Sequence, residues 1–228
     1  MFFDPLWLLM IAPAILLAIW AQGRVQSAYH RATQVPCSLT GAEAARLLLD
    51  SQGLHDVGIE ETQGFLSDHY DPTQRVLRLS PGVYRGRNMA AAGIAAHEAG
   101  HAFQHAEQYA PLVLRNLAVP LASVGGNFGF WIVILGALMS SMALVWAGIV
   151  LFGAVVVFQL INLPVEFDAS ARAKRHLAVL GLADGEQLEA VDDVLSAAAW
   201  TYVAATLQAI LTLLYFVLRF GGLGRSDD

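Results

Sequence analysis

Charge is scarce in this chain of 228 residues: only 14% are Asp, Glu, Lys or Arg, against about 25% in an ordinary soluble domain. A freely soluble domain needs a polar shell that this composition does not supply. Basic residues are outnumbered, with 13 Lys and Arg to 19 Asp and Glu. The clustered positive surface that nucleic acid demands is therefore missing, and no nucleic-acid partner is expected. A single cysteine, Cys37, excludes an internal disulfide and any disulfide scaffold. Internal repeats and low-complexity tracts are lacking too. What the chain has instead is apolar residues, 56% of the total, with a mean hydropathy of +0.52.

These residues are gathered into runs. No charge falls between Asp4 and Arg24, between Arg115 and Glu166, or between Asp193 and Arg219. A helix needs about 20 residues to cross the hydrocarbon core, so the middle run suits two spans, broken near Met139-Ser140-Ser141-Met142. Four transmembrane helices are expected, at about 5–22, 118–138, 142–163 and 198–219. Glycines in the middle run, Gly125 to Gly153, suit close helix packing in lipid. The first run reads as an uncleaved anchor, because Met1-Phe2-Phe3-Asp4 carries no basic residue and Pro13 and Trp20 fit a cleaved signal poorly. With four spans, residues 23–117 and 164–197 share a side, and that side holds eleven of the thirteen basic residues. The positive-inside rule places it in the cytoplasm.

The polar segments are mixed. Thr40-Gly41-Ala42-Glu43 is a capping box that opens a short amphipathic helix ending at Gly53. Strands are expected at Val57 to Glu61, Gly64 to Tyr70 and Arg75 to Ser80, with turn chemistry in Asp71-Pro72-Thr73-Gln74 and a close at Pro81-Gly82. Residues 88–108, rich in Ala and free of Pro, read as a helix, as do residues 165–196 with a break from Gly181 to Gly185. The expected organisation is a 1–22 anchor, a 23–117 α+β catalytic region, a 118–163 membrane hairpin, a 164–197 helical region, and a last span with a short tail at 198–228.

The helix at 88–108 contains His97-Glu98-Ala99-Gly100-His101. Residues four apart share a helix face, so both imidazoles can meet one metal ion with Glu98 beside it, the H-E-x-x-H arrangement of zinc proteases. A catalytic zinc takes three protein ligands and keeps one position open. His105 is two turns further on, about 12 Å along the axis from His97, too far to close on the same ion. A metzincin pattern fails, because Glu107 stands where its third His belongs. Glu166 is the better third ligand: it is the first charge after the fifty-residue run, and two spans return it to the side of His97. Asp168 is its rival. For the oxyanion donor, His176, Tyr84, Tyr70 and Arg172 are all candidates. Glu98 would take the proton from a zinc-bound water and return it to the leaving amine.

Ser67-Asp68-His69-Tyr70-Asp71-Pro72, Leu77-Arg78-Leu79-Ser80, the stretch Ala95 to Ala102 around the two histidines, and Leu163-Pro164-Val165-Glu166-Phe167-Asp168-Ala169-Ser170 together resemble the YugP-type membrane zinc metallopeptidases. The likeness runs over nearly the whole chain. It implies a mainly α membrane protein, with four transmembrane helices and a small α+β zincin-like region holding a short sheet and the H-E-x-x-H helix. It also implies a gluzincin-like endopeptidase, with one zinc ion on His97, His101 and Glu166 and with Glu98 as base. More distantly the chain resembles the HtpX-type proteases, which carry a Glu-x-x-x-Asp helix. Ser170 stands here at the last position of that pattern, which leaves Asp168 and Ser170 as candidates for the supporting role. By analogy with zincins, the strand Gly64 to Tyr70 would bind an extended protein or peptide substrate at its edge.

Two other readings use the same residues. An intramembrane site-2-type protease would draw a ligand from Asp184-Gly185, but that pair lies in a polar segment. A non-enzymatic membrane adaptor would hold a closed structural zinc with Cys37 as a fourth ligand. The expected setting is a bacterial inner membrane, with the site at its cytoplasmic edge. A homo-oligomer or a membrane partner is compatible with the sequence, which identifies neither.

Overall fold

A computed structural model of the chain describes residues 4–64 and 67–221. It is mainly helical, and four of its helical stretches are long and apolar enough to cross a membrane: Pro5–Thr33, Ala110–Leu138, Met142–Val179 and Gly185–Phe220. In chain order the elements are α1 (Pro5–Thr33), α2 (Gly41–Ser51), β1 (Gly58–Glu61), β2 (His69–Asp71), β3 (Val76–Leu79), α3 (Pro81–Tyr84) and α4 (Met89–Ala106). They are followed by α5 (Ala110–Val124), α6 (Phe130–Leu138), α7 (Met142–Val179) and α8 (Gly185–Phe220). A π-helical turn at Gly125–Gly129 joins α5 to α6.

Every expected span is the apolar part of a longer helix. α1 runs on to Thr33, and α7 carries through Pro164, which has no N–H to give the preceding turn, to reach Glu166 and Val179 without a break. The hairpin between α6 and α7 turns at Met139 to Ser141, where Ser140 takes a φ of +53°. Residues 164–197 are thus the polar continuation of α7 and the opening of α8, separated at Gly181, whose φ is +64°.

Two compact units result. One takes Met1–Trp20, Val113–Pro164 and Thr201–Asp228. Its interior is aromatic and aliphatic, with Val133, Val145, Ile149, Tyr215, Phe216 and Phe220 buried together. Its helices meet at glycine: a Cβ on Gly148 would stand 2.6 Å from the Val133 nitrogen, and one on Gly136 would stand 2.6 Å from the Val145 nitrogen.

The other unit, Ala21–Leu112 with Val165–Trp200, holds every candidate site residue. Its sheet has the order β1-β3-β2, with β1 parallel to β3 and β2 antiparallel to it. Tyr70 pairs with Leu77 and His69 with Arg78. The strand expected over 64–70 is only His69–Asp71; residues 65 and 66 of that stretch lie outside the described residues. Asp68 is drawn off to hold the start of α3, accepting from Ser80 N–H at 2.7 Å, and His69 Nδ1–H donates to the Ser67 carbonyl oxygen at 2.8 Å. Side-chain bonds of this kind compete with the ladder and shorten the strand.

Local chemistry fixes α2 and α4. Glu43 N–H donates to Thr40 Oγ1 at 3.1 Å, and Thr40 N–H donates to Glu43 Oε2 at 2.7 Å, a complete capping box. Asn88 caps α4 by accepting from Ala91 N–H at 3.0 Å. The alanines of α4 are small enough to be buried on nearly all sides, so α2, the sheet, α7 and α8 close around it through Leu48, Leu77, Leu79, Leu177 and Val191. A helix enclosed in this way holds its polar side chains to fixed positions.

Candidate metal centre

α4 turns His97, Glu98, His101 and Gln104 into the unit, and α7 brings Glu166 to meet them. The ligand atoms of His97, His101 and Glu166 all lie within 4.8 Å of one another. The His97 and His101 rings meet edge to face with centroids 4.8 Å apart. Glu166 Oε2 is 3.3 Å from His97 Nε2 and 3.7 Å from His101 Nε2. Glu166 is only 4% exposed, and its Oε2 makes no hydrogen bond. A buried carboxylate oxygen without a hydrogen bond is costly.

A divalent ion resolves this arrangement. Two ligand atoms about 2.1 Å from a tetrahedral zinc stand about 3.4 Å apart, close to the two Nε2–Oε2 separations. Charge points the same way. Burial alone would depress the His101 imidazole, but the surrounding Glu166 and Glu98 carboxylates outweigh it and raise its pKa above the ordinary histidine value. Two buried carboxylates facing two imidazoles thus form a site that attracts positive charge. Two nitrogens and one carboxylate oxygen are a donor set that suits zinc.

Around this trio each imidazole has a partner at its far nitrogen. His97 Nδ1 is 3.1 Å from Ser170 Oγ, and His101 Nδ1 is 3.0 Å from Gln104 Oε1. Glu98, 8% exposed, accepts from the backbone N–H of Tyr70 at 3.1 Å. Strand β2 is thereby tied to the carboxylate beside the two histidines.

The remaining candidates scatter. Asp168, weighed as a rival ligand, accepts from Arg172 Nε at 2.5 Å and from Gln104 Nε2 at 2.9 Å, and it is not part of the three-residue cluster. Arg172 also bonds Glu107 at 2.7 Å and lies over the Tyr109 ring, so its hydrogen bonds go to carboxylates. His176 packs on Phe103 with ring centroids 4.8 Å apart, and Tyr84 packs against the hydrophobic core. Tyr70 keeps its hydroxyl 2.9 Å from His105 Nδ1, and burial raises the pKa of that hydroxyl. His105 therefore faces Tyr70. Cys37 lies in the hydrophobic cluster, and Asp184 is exposed.

Gln104 was missed in the sequence, where it reads only as part of a polar helix end. Its spacing was the available signal: it stands three residues after His101 and seven after His97, on the same helical stripe.

Comparison with known proteins agrees with this geometry. Residues 7–221 match the family described as "Putative neutral zinc metallopeptidase". The chain is 46% identical over 225 residues to the "Putative membrane protease YugP" of Bacillus subtilis (strain 168), covering 98% of this chain and 100% of that protein. No solved structure shows a significant match. A match over almost the whole length, carried by a chain whose His97, His101 and Glu166 converge, has one consequence: this chain belongs to the neutral zinc metallopeptidase family.

Proposed function

We propose that the chain is a membrane-embedded endopeptidase of gluzincin type, with one zinc ion held by His97, His101 and Glu166 and with Glu98 as general base. The observation that carries this reading is the buried Glu166 Oε2, which has no hydrogen bond and faces both Nε2 atoms. Zinc, when bound, would acidify a water molecule and polarise the scissile carbonyl. Glu98 would take that water's proton on its carboxylate and pass it to the leaving amine. The N–H of Tyr70 holds Glu98 Oε2 and so fixes the orientation of the base.

A protein or peptide substrate is read as an added strand. β2 is an outer strand of the sheet, its Tyr70 touches Glu98, and an extended peptide laid along it would bring a peptide bond to the base. Of the four oxyanion candidates, Tyr70 is favoured: its amide already touches Glu98, whereas Arg172 is bonded to two carboxylates and His176 and Tyr84 pack on apolar side chains. The Tyr70 hydroxyl can donate to the oxyanion while accepting from His105 Nδ1–H. The distribution of basic residues supports a site on the cytoplasmic side of a bacterial inner membrane, near the membrane edge.

Neither rival reading gains support. Asp184, which a site-2-type protease would use, is exposed, and Cys37, which a closed structural zinc would use, is outside the three-residue cluster. Glu98→Gln tests the proposal. Zinc should stay bound while cleavage of casein by the purified protein falls by about a hundredfold or more. Undiminished cleavage would overturn it.

A further inference from the structure

Gln104 is completely buried, with 0% of its surface exposed, one turn beyond His101 on α4. One end of its amide faces acceptors only: the Val165 carbonyl oxygen at 2.8 Å and Asp168 Oδ2 at 2.9 Å. A carbonyl and a carboxylate cannot donate, so that end must be the NH2 group, with one hydrogen available for each partner. The opposite end is then a carbonyl oxygen, able only to accept, and it is 3.0 Å from His101 Nδ1. The hydrogen between them must come from the imidazole. His101 is held with Nδ1–H towards Gln104 and with Nε2 turned towards Glu166.

His97 lacks any such constraint. Its Nδ1 faces the Ser170 hydroxyl, which can donate or accept and so permits either tautomer. The two ligating imidazoles thus differ in kind: one has its tautomer dictated, and the other does not.

We infer that Gln104 is a positioning residue that commits His101 to the Nδ1–H tautomer and, through Val165 and Asp168, locks the α7 turn carrying Glu166 to the α4 turn carrying His101. The two residues it grips on α7 flank Glu166 in sequence. One side chain therefore sets the nitrogen that His101 presents and the place of the carboxylate beside it. A hydrogen bond from the far nitrogen of a ligating histidine fixes ring orientation and raises ligand basicity. This inference rests on the metal site proposed above.

The test uses the full-length protein purified in detergent, with zinc affinity read by competition against a chromophoric chelator. Gln104→Met keeps the side-chain length and loses the acceptor; it should weaken zinc binding about 10- to 100-fold. Gln104→Glu keeps an oxygen for His101 Nδ1–H but loses both donors and sets a carboxylate against Val165 and Asp168, so it too should weaken zinc binding about 10-fold or more. A role in packing alone predicts near-parental affinity for Gln104→Glu, which keeps the size and shape of the side chain, and that result would overturn the inference. Long-range 1H–15N spectra of the zinc-loaded parent, labelled at histidine, should show His101 bound through Nε2 with a slowly exchanging Nδ1–H. That reading does not depend on either variant folding, and coordination through Nδ1 would overturn the inference. Equal zinc affinity for Gln104→Met and the parent would do the same. Should Glu166→Ala bind zinc as tightly as the parent, the proposed metal site fails and takes this inference with it. A loss on Glu166→Ala without one on Gln104→Met sinks the inference alone.

Discussion

Gly100 lies directly against Ala169: a Cβ on Gly100 would stand 2.6 Å from the Ala169 carbonyl oxygen and 3.2 Å from its Cα. The obstacle is helix backbone, which cannot swing aside as a flexible side chain could. This contact lets α4, with its two histidines, approach α7 closely enough for Glu166 to reach them. Gly100→Ala should push the helices apart, costing about 1–3 kcal/mol of stability by overpacking. Zinc affinity should fall with it, because the ligands sit on both sides of the contact. Denaturant unfolding and a zinc titration on the same variant check both effects, and an unchanged affinity would show that the approach is not what brings the ligands together.

Ser170 gives a second prediction. It occupies the position where the HtpX-type pattern has Asp, and its hydroxyl lies 3.1 Å from His97 Nδ1. Asp168 does not make this contact, being bound to Gln104 and Arg172. Ser170→Ala should lower zinc affinity by about tenfold, the lower end of the range for a lost partner of a ligating histidine. Ser170→Asp should restore it. Chelator competition at fixed pH measures the pair, and a Ser170→Ala protein with parental affinity would remove Ser170 from the site.

The parts of this fold that were legible in the sequence are those with local causes. Four long apolar stretches, the Thr40–Glu43 capping box and the His97-to-His101 spacing each depend on neighbours within one or two turns. β2 was overextended in the sequence because its start is decided by Asp68, whose carboxylate is claimed by Ser80 twelve residues away. α7 was divided in two near Pro164 because the proline and the change from apolar to polar residues look like a helix end, yet the helix continues. Gln104 was invisible for a different reason. Its meaning comes from Val165 and Asp168, more than sixty residues further along the chain, and a buried glutamine on an Ala-rich helix has no local signature.

The β2–β3 turn should respond to acid. Asp71 Oδ1 accepts from the N–H groups of Thr73 and Gln74, and its Oδ2 accepts from Arg78 at 2.7 Å. The Arg78 hydrogen bond, helped by the two backbone N–H groups, holds the Asp71 carboxyl below its ordinary value. A carboxyl with a lowered folded pKa stabilises the protein above about pH 4, its unfolded value, and that contribution disappears as pH falls through the folded value. Asp71→Asn keeps an acceptor for the turn and loses the charge. The variant should melt below the parent at pH 7, and the gap should narrow as the pH is taken below about 4. Thermal unfolding at pH 7, 5 and 3 tests this, and a gap that does not change with pH would assign Asp71 to the turn alone.

Metal itself should act as a folding ligand. Glu166 Oε2 is buried without a hydrogen bond, and the His97 and His101 Nε2 atoms face it at 3.3 and 3.7 Å, so the folded state holds a formed site that an unfolded chain lacks. A ligand that binds only the folded state stabilises it by about 2.7 kcal/mol at a hundred times its Kd, with a further rise at higher concentration. The Tm of the parent protein, stripped with a chelator, should therefore climb with added zinc. Glu166→Ala removes a ligand and also the buried carboxylate that lacks a bond. Its Tm should respond far less to zinc. A zinc response of parental size in Glu166→Ala would place the third ligand elsewhere.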